Sequence, residues 1–162
     1  MTSFAELIRA LADAHVDFII IGGVAATAHG ASRLTNDLDI VYSRAGTNIA
    51  RLVRTLGPFE PYPRGAPPGL PFHFDERTVT NGLNFTLTTK HGSIDLLGEI
   101  AGGGRYDNLR PHSIRIQISG AECLCLGLEH LIVSKRAAGR PKDFESIAEL
   151  EAILEERRRT AG

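Results

Sequence analysis

The sequence predicts a mixed α/β or α+β domain, a mixed sheet flanked by helices with a short helical segment at its C-terminal end. Three observations predict it. Helical apolar spacing alternates with short strand-length apolar runs in the first third, a hairpin signal and alternating runs fill the middle, and the last forty-odd residues return to helical spacing. With 162 residues there is room for one compact domain, divided here into a core over 1–120 and a helical segment over 121–162 packed on it.

Residues Phe4 to Ala14 place Phe4, Leu7, Ile8 and Leu11 at helical spacing behind Ser3 as N-cap and Glu6 at capping-box distance. Val16 to Ile21 is a β-branched apolar run of the kind that becomes a buried strand. Gly22-Gly23 reads as a tight turn into a helix over Val24 to His29, closed by Gly30, with Ala31 to Asn36 as loop. Asp37 to Val41 alternates polar with apolar, so a strand there carries both aspartates on one face. Thr47 to Leu56 is helical, and the proline- and glycine-rich Gly57 to Pro71 reads as an irregular loop, which length and composition alone do not assign as a lid or a partner site. Leu83 to Thr89 and Ser93 to Leu97 are strands joined by a Lys90-His91-Gly92 hairpin turn, and Asp95 lies on the second. Gly102 to Gly104 is loop, Ser113 to Ile118 a strand, and Glu122 to Ala137 and Phe144 to Arg157 are helices punctuated by Gly139 and Pro141.

Composition narrows the function classes. Apolar residues at 43% and charged residues at 23% suit a globular protein with a core rather than a disordered chain. A formal net charge of -1 gives no global positive field, so any RNA or nucleotide contact must be local. The acids within the amphipathic N-terminal stretch argue against a signal peptide, and no apolar run is long enough to span a bilayer, which leads to the expectation of a cytoplasmic protein. Cys123 and Cys125 are too close for an ordinary disulfide and read as buried thiols.

Two features point to chemistry. Carboxylates two residues apart on a strand aim the same way, so Asp37 and Asp39 repel each other unless a cation lies between them, and hard oxygen ligands suit magnesium or manganese. Gly22-Gly23, between strand and helix, offers backbone N–H groups to a phosphate without Cβ obstruction. Neither G-x-G-x-x-G nor a P-loop motif is present, so neither a dinucleotide fold nor a P-loop explains the pair.

Ile21-Gly22-Gly23, thirteen intervening residues, then Asp37-Leu38-Asp39-Ile40 resembles the signature of the DNA polymerase β-like nucleotidyltransferase superfamily. Asp95, in Gly92-Ser93-Ile94-Asp95-Leu96-Leu97, matches the superfamily's third carboxylate on a later strand. The segments Ala31 to Ile40 and Ser134 to Asp143 look like the AbiEii-type group, nucleotidyltransferases found as toxins of type IV toxin–antitoxin systems, and the similarity covers roughly residues 16 to 150. The resemblance implies transfer of a nucleoside monophosphate from an NTP to an RNA, tRNA or protein acceptor, with an antitoxin protein as partner. It also implies two Mg2+ or Mn2+ ions bridged by Asp37 and Asp39, with Asp95 holding the ion next to the acceptor. Unlike longer members, the chain lacks a large C-terminal helical domain, which leaves acceptor recognition open.

The triphosphate calls for cations: Lys135 first, then Arg33, Arg140 and Lys142, each with a solvated surface role as its alternative. Asp143 reads either as part of that set or as an N-cap, and Thr35 and Ser32 as nucleotide-facing or plain loop hydroxyls. His29, His73, His91, His112 and His130 show no metal-ligand spacing and read as surface or packing residues. The charged end Glu155 to Arg159 suits a helix terminus, with an RNA-contacting tail as the alternative. A catalytically degenerate binding module and a small-molecule transferase of the antibiotic-modifying kind remain as rival readings.

Overall fold

The computed structural model describes residues 4–32 and 35–161, apart from the side chain of Lys142. Helix α1 (Phe4–Asp13) turns Leu7, Ile8 and Leu11 wholly inward, and each such side chain contributes about 1.5–3 kcal/mol of burial. Strand β1 (Phe18–Ile21) is buried along its whole length, as its unbroken apolar run requires. It runs directly into α2 (Gly22–Ala28), so the glycine pair forms the first turn of the helix rather than a turn before it. Strand β2 (Asp37–Tyr42) pairs antiparallel with β1, and α3 (Gly46–Leu56) follows. The Asn48 side chain of α3 accepts from the Asp17 backbone N–H and donates to the Asp17 and Ser43 carbonyls, at 2.7, 3.1 and 2.9 Å, tying the start of β1 to the end of β2.

The proline-rich segment contains more order than its composition suggests. A 3-10 turn (Gly57–Phe59) leads into β3 (Tyr62–Pro63), an edge strand where proline's missing N–H costs no ladder bond. Helix α4 (Glu76–Asn81) is capped by Asp75, whose carboxylate accepts from the Thr78 backbone N–H at 2.8 Å. The hairpin of β4 (Asn84–Thr89) and β5 (Gly92–Leu97) turns at Lys90-His91 as expected. A two-stranded ribbon of β6 (Glu99–Ile100) and β7 (Gly104–Arg105), a short α5 (Tyr106–Leu109) and β8 (Ser113–Ile118) follow.

One expectation fails outright. Residues 121–126 form strand β9 (Ala121–Leu126), not the start of a helix, and α6 begins only at Leu128 (Leu128–Ala138), before α7 (Phe144–Ala161). The reason is visible in Ala121, Cys123 and Cys125, buried alternately with exposed Glu122 and half-buried Leu124, a period of two that the continuous apolar content hid. Both thiols are free and buried, and burial pushes them up to about 11 for Cys123 and about 12 for Cys125.

Among the described residues the main sheet has seven strands in the order β3-β4-β5-β2-β1-β9-β8. It is mixed, with β2 parallel to β5 and β1 parallel to β9, so the fold is the sheet with flanking helices that the sequence predicts. Leu38, Ile40 and Tyr42 alternate with the aspartates along β2 and are fully buried, which leaves the aspartates on the opposite face. No helix of the described residues is long and apolar enough to cross a membrane.

Helix α7 is latched to the core through buried His29. Arg157 donates one guanidinium N–H to His29 Nδ1 at 3.2 Å and another to the His29 carbonyl at 3.0 Å. A guanidinium only donates, so Nδ1 must accept, and the ring proton sits on Nε2, which donates to the Leu126 carbonyl at 2.8 Å. Burial first, and the Arg157 charge with it, hold the imidazole below its usual 6.5, against the Leu126 bond. The native state therefore binds this proton less readily than the unfolded chain, so stability is full above about 6.5 and is lost as pH falls below it. Melts of wild type and His29→Gln at pH 7.5 and 5.5 should show wild type losing stability relative to the variant at the lower pH; an equal change in the two proteins would mean that the latch does not titrate.

Candidate active site

Three of the proposed carboxylates share one face at the centre of the sheet. Asp39 on β2 lies directly opposite Asp95 on β5, and Asp37 lies opposite Ser93. In-register residues on adjacent strands project the same way, so the parallel β2–β5 pairing places Asp39 against Asp95. Burial, then the negative charge of Asp95 and a hydrogen bond with it, then the charge of Asp37, push Asp39 up to about 7 against the pull of Lys135. Asp39 Oδ1 and Asp95 Oδ1 are both buried without a hydrogen-bond partner. Two facing carboxylates with orphaned oxygens fit a hard cation.

Gly22 makes this packing possible. Its φ is +67°, and a Cβ there would lie 2.1 Å from Asp39 Oδ2, so any side chain would collide with the acid as well as strain the backbone. At Gly23 a Cβ would lie 2.6 Å from Cβ of Thr35. The Thr35 hydroxyl donates to the Asp37 carbonyl at 3.1 Å, so this residue shapes the entry into β2. Ile21, at the start of α2, offers no side-chain cap to the helix N–H groups.

A cavity of about 210 Å³ opens over the acids, lined by Gly22, Asp39, Asp95, Ser134, Lys135 and Arg140 among others. Lys135 and Arg140 thus reach the same cavity as the acids, while Ser134 was not singled out from sequence. A larger cavity of about 580 Å³ lies beyond α2, bounded by Val24, Thr27, Ala28, Ser32, Thr35 and Ile116 among others, and among the described residues no charged one lines it. The facing acids line the smaller one. Asp143 is buried and anchors both cations, with Arg140 Nε at 2.8 Å and Lys135 Nζ at 4.0 Å from its carboxylate. Ser32 turns instead to Glu149 on α7, its hydroxyl donating at 2.8 Å. Arg33 and the side chain of Lys142 lie outside the described residues.

Sequence reasoning missed Arg64. It follows β3, its backbone N–H donates to the Thr86 carbonyl at 2.9 Å, and Thr86 is opposite Asp95. Its Nη2 lies 2.9 Å from Asp95 Oδ1 and its Nη1 lies 3.7 Å from Asp37 Oδ2. Among the described residues no group of three or more His, Cys, Asp or Glu side chains stands ready to hold a metal ion. Asp37 and Asp95 each face this guanidinium instead.

No protein-family profile matches the chain, and neither does any curated protein. Solved structures match it in fold. One is a protein of Thermotoga maritima assigned as a nucleotidyltransferase, 15% identical with a TM-score of 0.55 over 96% of each chain. Another is the antibiotic-resistance factor ANT(2'')-Ia, 13% identical with a TM-score of 0.53 over 98% of this chain and 92% of that one. A third is an antigenic nucleotidyltransferase-like protein of Paracoccidioides brasiliensis, 14% identical with a TM-score of 0.51 over 93% of this chain and 72% of that one. The acids, the cations beside them and the glycine-opened helix start thus sit on a nucleotidyltransferase-like fold.

Proposed function

We propose that the chain is a metal-dependent nucleotidyltransferase that moves a nucleoside monophosphate from an NTP to an acceptor hydroxyl. The observation that carries this reading is the facing pair Asp39 and Asp95, which line a cavity together with Lys135 and Arg140 while Asp39 Oδ1 is buried without a hydrogen-bond partner. Asp37, Asp39 and Asp95 would hold the divalent ions, whose chemistry would be to neutralise charge on the leaving pyrophosphate and activate the acceptor oxygen.

The chain's own residues divide the remaining tasks. Lys135 and Arg140, kept close by the buried carboxylate of Asp143, would bind the triphosphate oxygens. The backbone N–H groups of Gly22 and Gly23 at the start of α2 would meet a phosphate. Thr35 would hold the loop before β2 in place, and Arg33 and Lys142 are proposed as further nucleotide-binding cations from the sequence alone. Asp95 would take the proton from the attacking hydroxyl on a carboxylate oxygen, since a base must lie within hydrogen-bond reach of the proton that it removes. RNA, tRNA or a protein is the acceptor class we infer, together with kinship to the AbiEii-type toxins and their antitoxin partners, on the strength of the segments Ala31 to Ile40 and Ser134 to Asp143. The likeness to an antibiotic-resistance factor favours a small-molecule acceptor as the second reading.

Incubation of the purified protein with each α-labelled NTP, magnesium, and total RNA, protein extract or a panel of antibiotics in turn should move label to one acceptor class. Label on none of them would count against transfer. Asp39→Asn should slow transfer on the order of a thousandfold while leaving the protein folded. The same variant should be more stable than the parent without metal. Because the Asp39 carboxyl is raised to about 7, its contribution to stability is full at low pH and is lost as pH rises through 7. Melting in chelator at pH 8 should therefore rise by roughly 3 °C in Asp39→Asn, with a smaller gain at pH 5; no gain would mean that the acid is not forced against its neighbours. Gly22→Ala should cost roughly 1–2 kcal/mol through its left-handed backbone alone and should also abolish NTP binding by displacing Asp39. Calorimetry with a non-hydrolysable NTP would check this, and unaltered binding would remove the glycine from the site.

A further inference from the structure

Arg64 is an unusual partner for two carboxylates. It arrives from just past the edge strand β3, at the end of the row that runs Asp39, Asp95, Thr86 and Arg64. Its guanidinium reaches Asp95 and Asp37 together, and Nη2 also donates to the Leu87 carbonyl at 2.8 Å. A guanidinium built into a structural ion pair presents its fork to a carboxylate and satisfies both sides. Here Arg64 Nε is buried without an acceptor, and Asp95 Oδ1, although 2.9 Å from Nη2, receives no hydrogen bond. Asp39 Oδ1 beside them is also unmet. The contact supplies charge without good geometry.

We propose that Arg64 is a resident countercharge that occupies the cation position of this acid cluster, and that a divalent ion on Asp37 and Asp95 excludes the Arg64 contact. This inference rests on the metal-dependent reading above. Arginine stays charged at any pH the protein survives, so it can leave only by moving. The chain next to it allows that movement. Arg64 is followed by Gly65 at a φ of +82°, where a Cβ would meet nothing within 4 Å, and the chain from Arg64 to Asp75 belongs to no strand or helix. Removing the guanidinium removes a positive charge from beside the incoming ion, so metal affinity should rise. It also leaves Asp37 and Asp95 uncompensated when no metal is present.

Calorimetric titration of Mn2+ into the purified full chain at pH 8 tests the exchange, with wild type, Arg64→Ala and the bulkier Arg64→Gln, which keeps more of the packing if the alanine variant does not fold. Arg64→Ala or Arg64→Gln should bind Mn2+ at least tenfold more tightly than wild type. Each should melt lower than wild type in chelator and close the gap in saturating Mn2+. Hydrogen exchange of wild type should speed up over residues 62–72 when Mn2+ is added. Binding by wild type with equal or weaker binding by the variants would overturn the exchange while leaving the metal site intact, as would unaltered exchange of the segment. Absence of Mn2+ binding in all three proteins would remove the metal reading and this inference with it.

Discussion

The structure turns on one electrostatic constraint, the placing of Asp39 and Asp95 face to face on adjacent strands where water cannot fully solvate them. Two like charges in such a place raise each other's cost of ionisation, and Asp39 shows it by holding its proton up to about 7. Everything around the pair answers that constraint. Gly22 yields the space that the Asp39 carboxylate fills, Lys135 lends positive charge from α6, and Arg64 reaches in from the sheet edge to face Asp95 and Asp37. Such strain is kept in proteins where a ligand relieves it, and the divalent cation of the proposed function would be that ligand.

The cationic side of the site is itself built in tiers. Lys135 and Arg140 would repel each other across the cavity but for Asp143, which lies buried between them and accepts from Arg140. Because Lys135 lies in the last turn of α6 while Asp143 immediately precedes α7, the helical C-terminal segment delivers charge to a site whose acids come from the sheet. Arg157 fixes that segment a second time, through the ring and carbonyl of His29 at the end of α2. The latch to the core thus lies on α7, and the Asp143 anchor of Lys135 and Arg140 lies just before it.

How far this was legible in the sequence depends on the range of each interaction. Period-two alternation marked β2 and β8, a hairpin turn between strand-like runs marked β4 and β5, and the two aspartates on one face of β2 followed from the alternation directly. The same rule was present in Ala121 to Leu126 but was masked by its apolar neighbours in α6, so β9 read as helix until its pairing with β1 and β8 was seen. Helix α4 and β3 were invisible for a different reason. Their signals are one cap at Asp75 and a Tyr-Pro pair, too short to stand against the prolines and glycines around them. Arg64 could not be read at all, because its place in the site depends on the register of β3 against β4 and of β4 against β5, a relation between residues about thirty apart.

Diffraction from crystals soaked with Mn2+ and a non-hydrolysable NTP would test the central claim most directly, since manganese can be located by its anomalous signal. The account predicts a peak within coordination distance of Asp39 and Asp95, with the triphosphate running toward Lys135 and Arg140. A nucleotide bound in the larger apolar cavity beyond α2, or manganese absent from the facing pair, would contradict it.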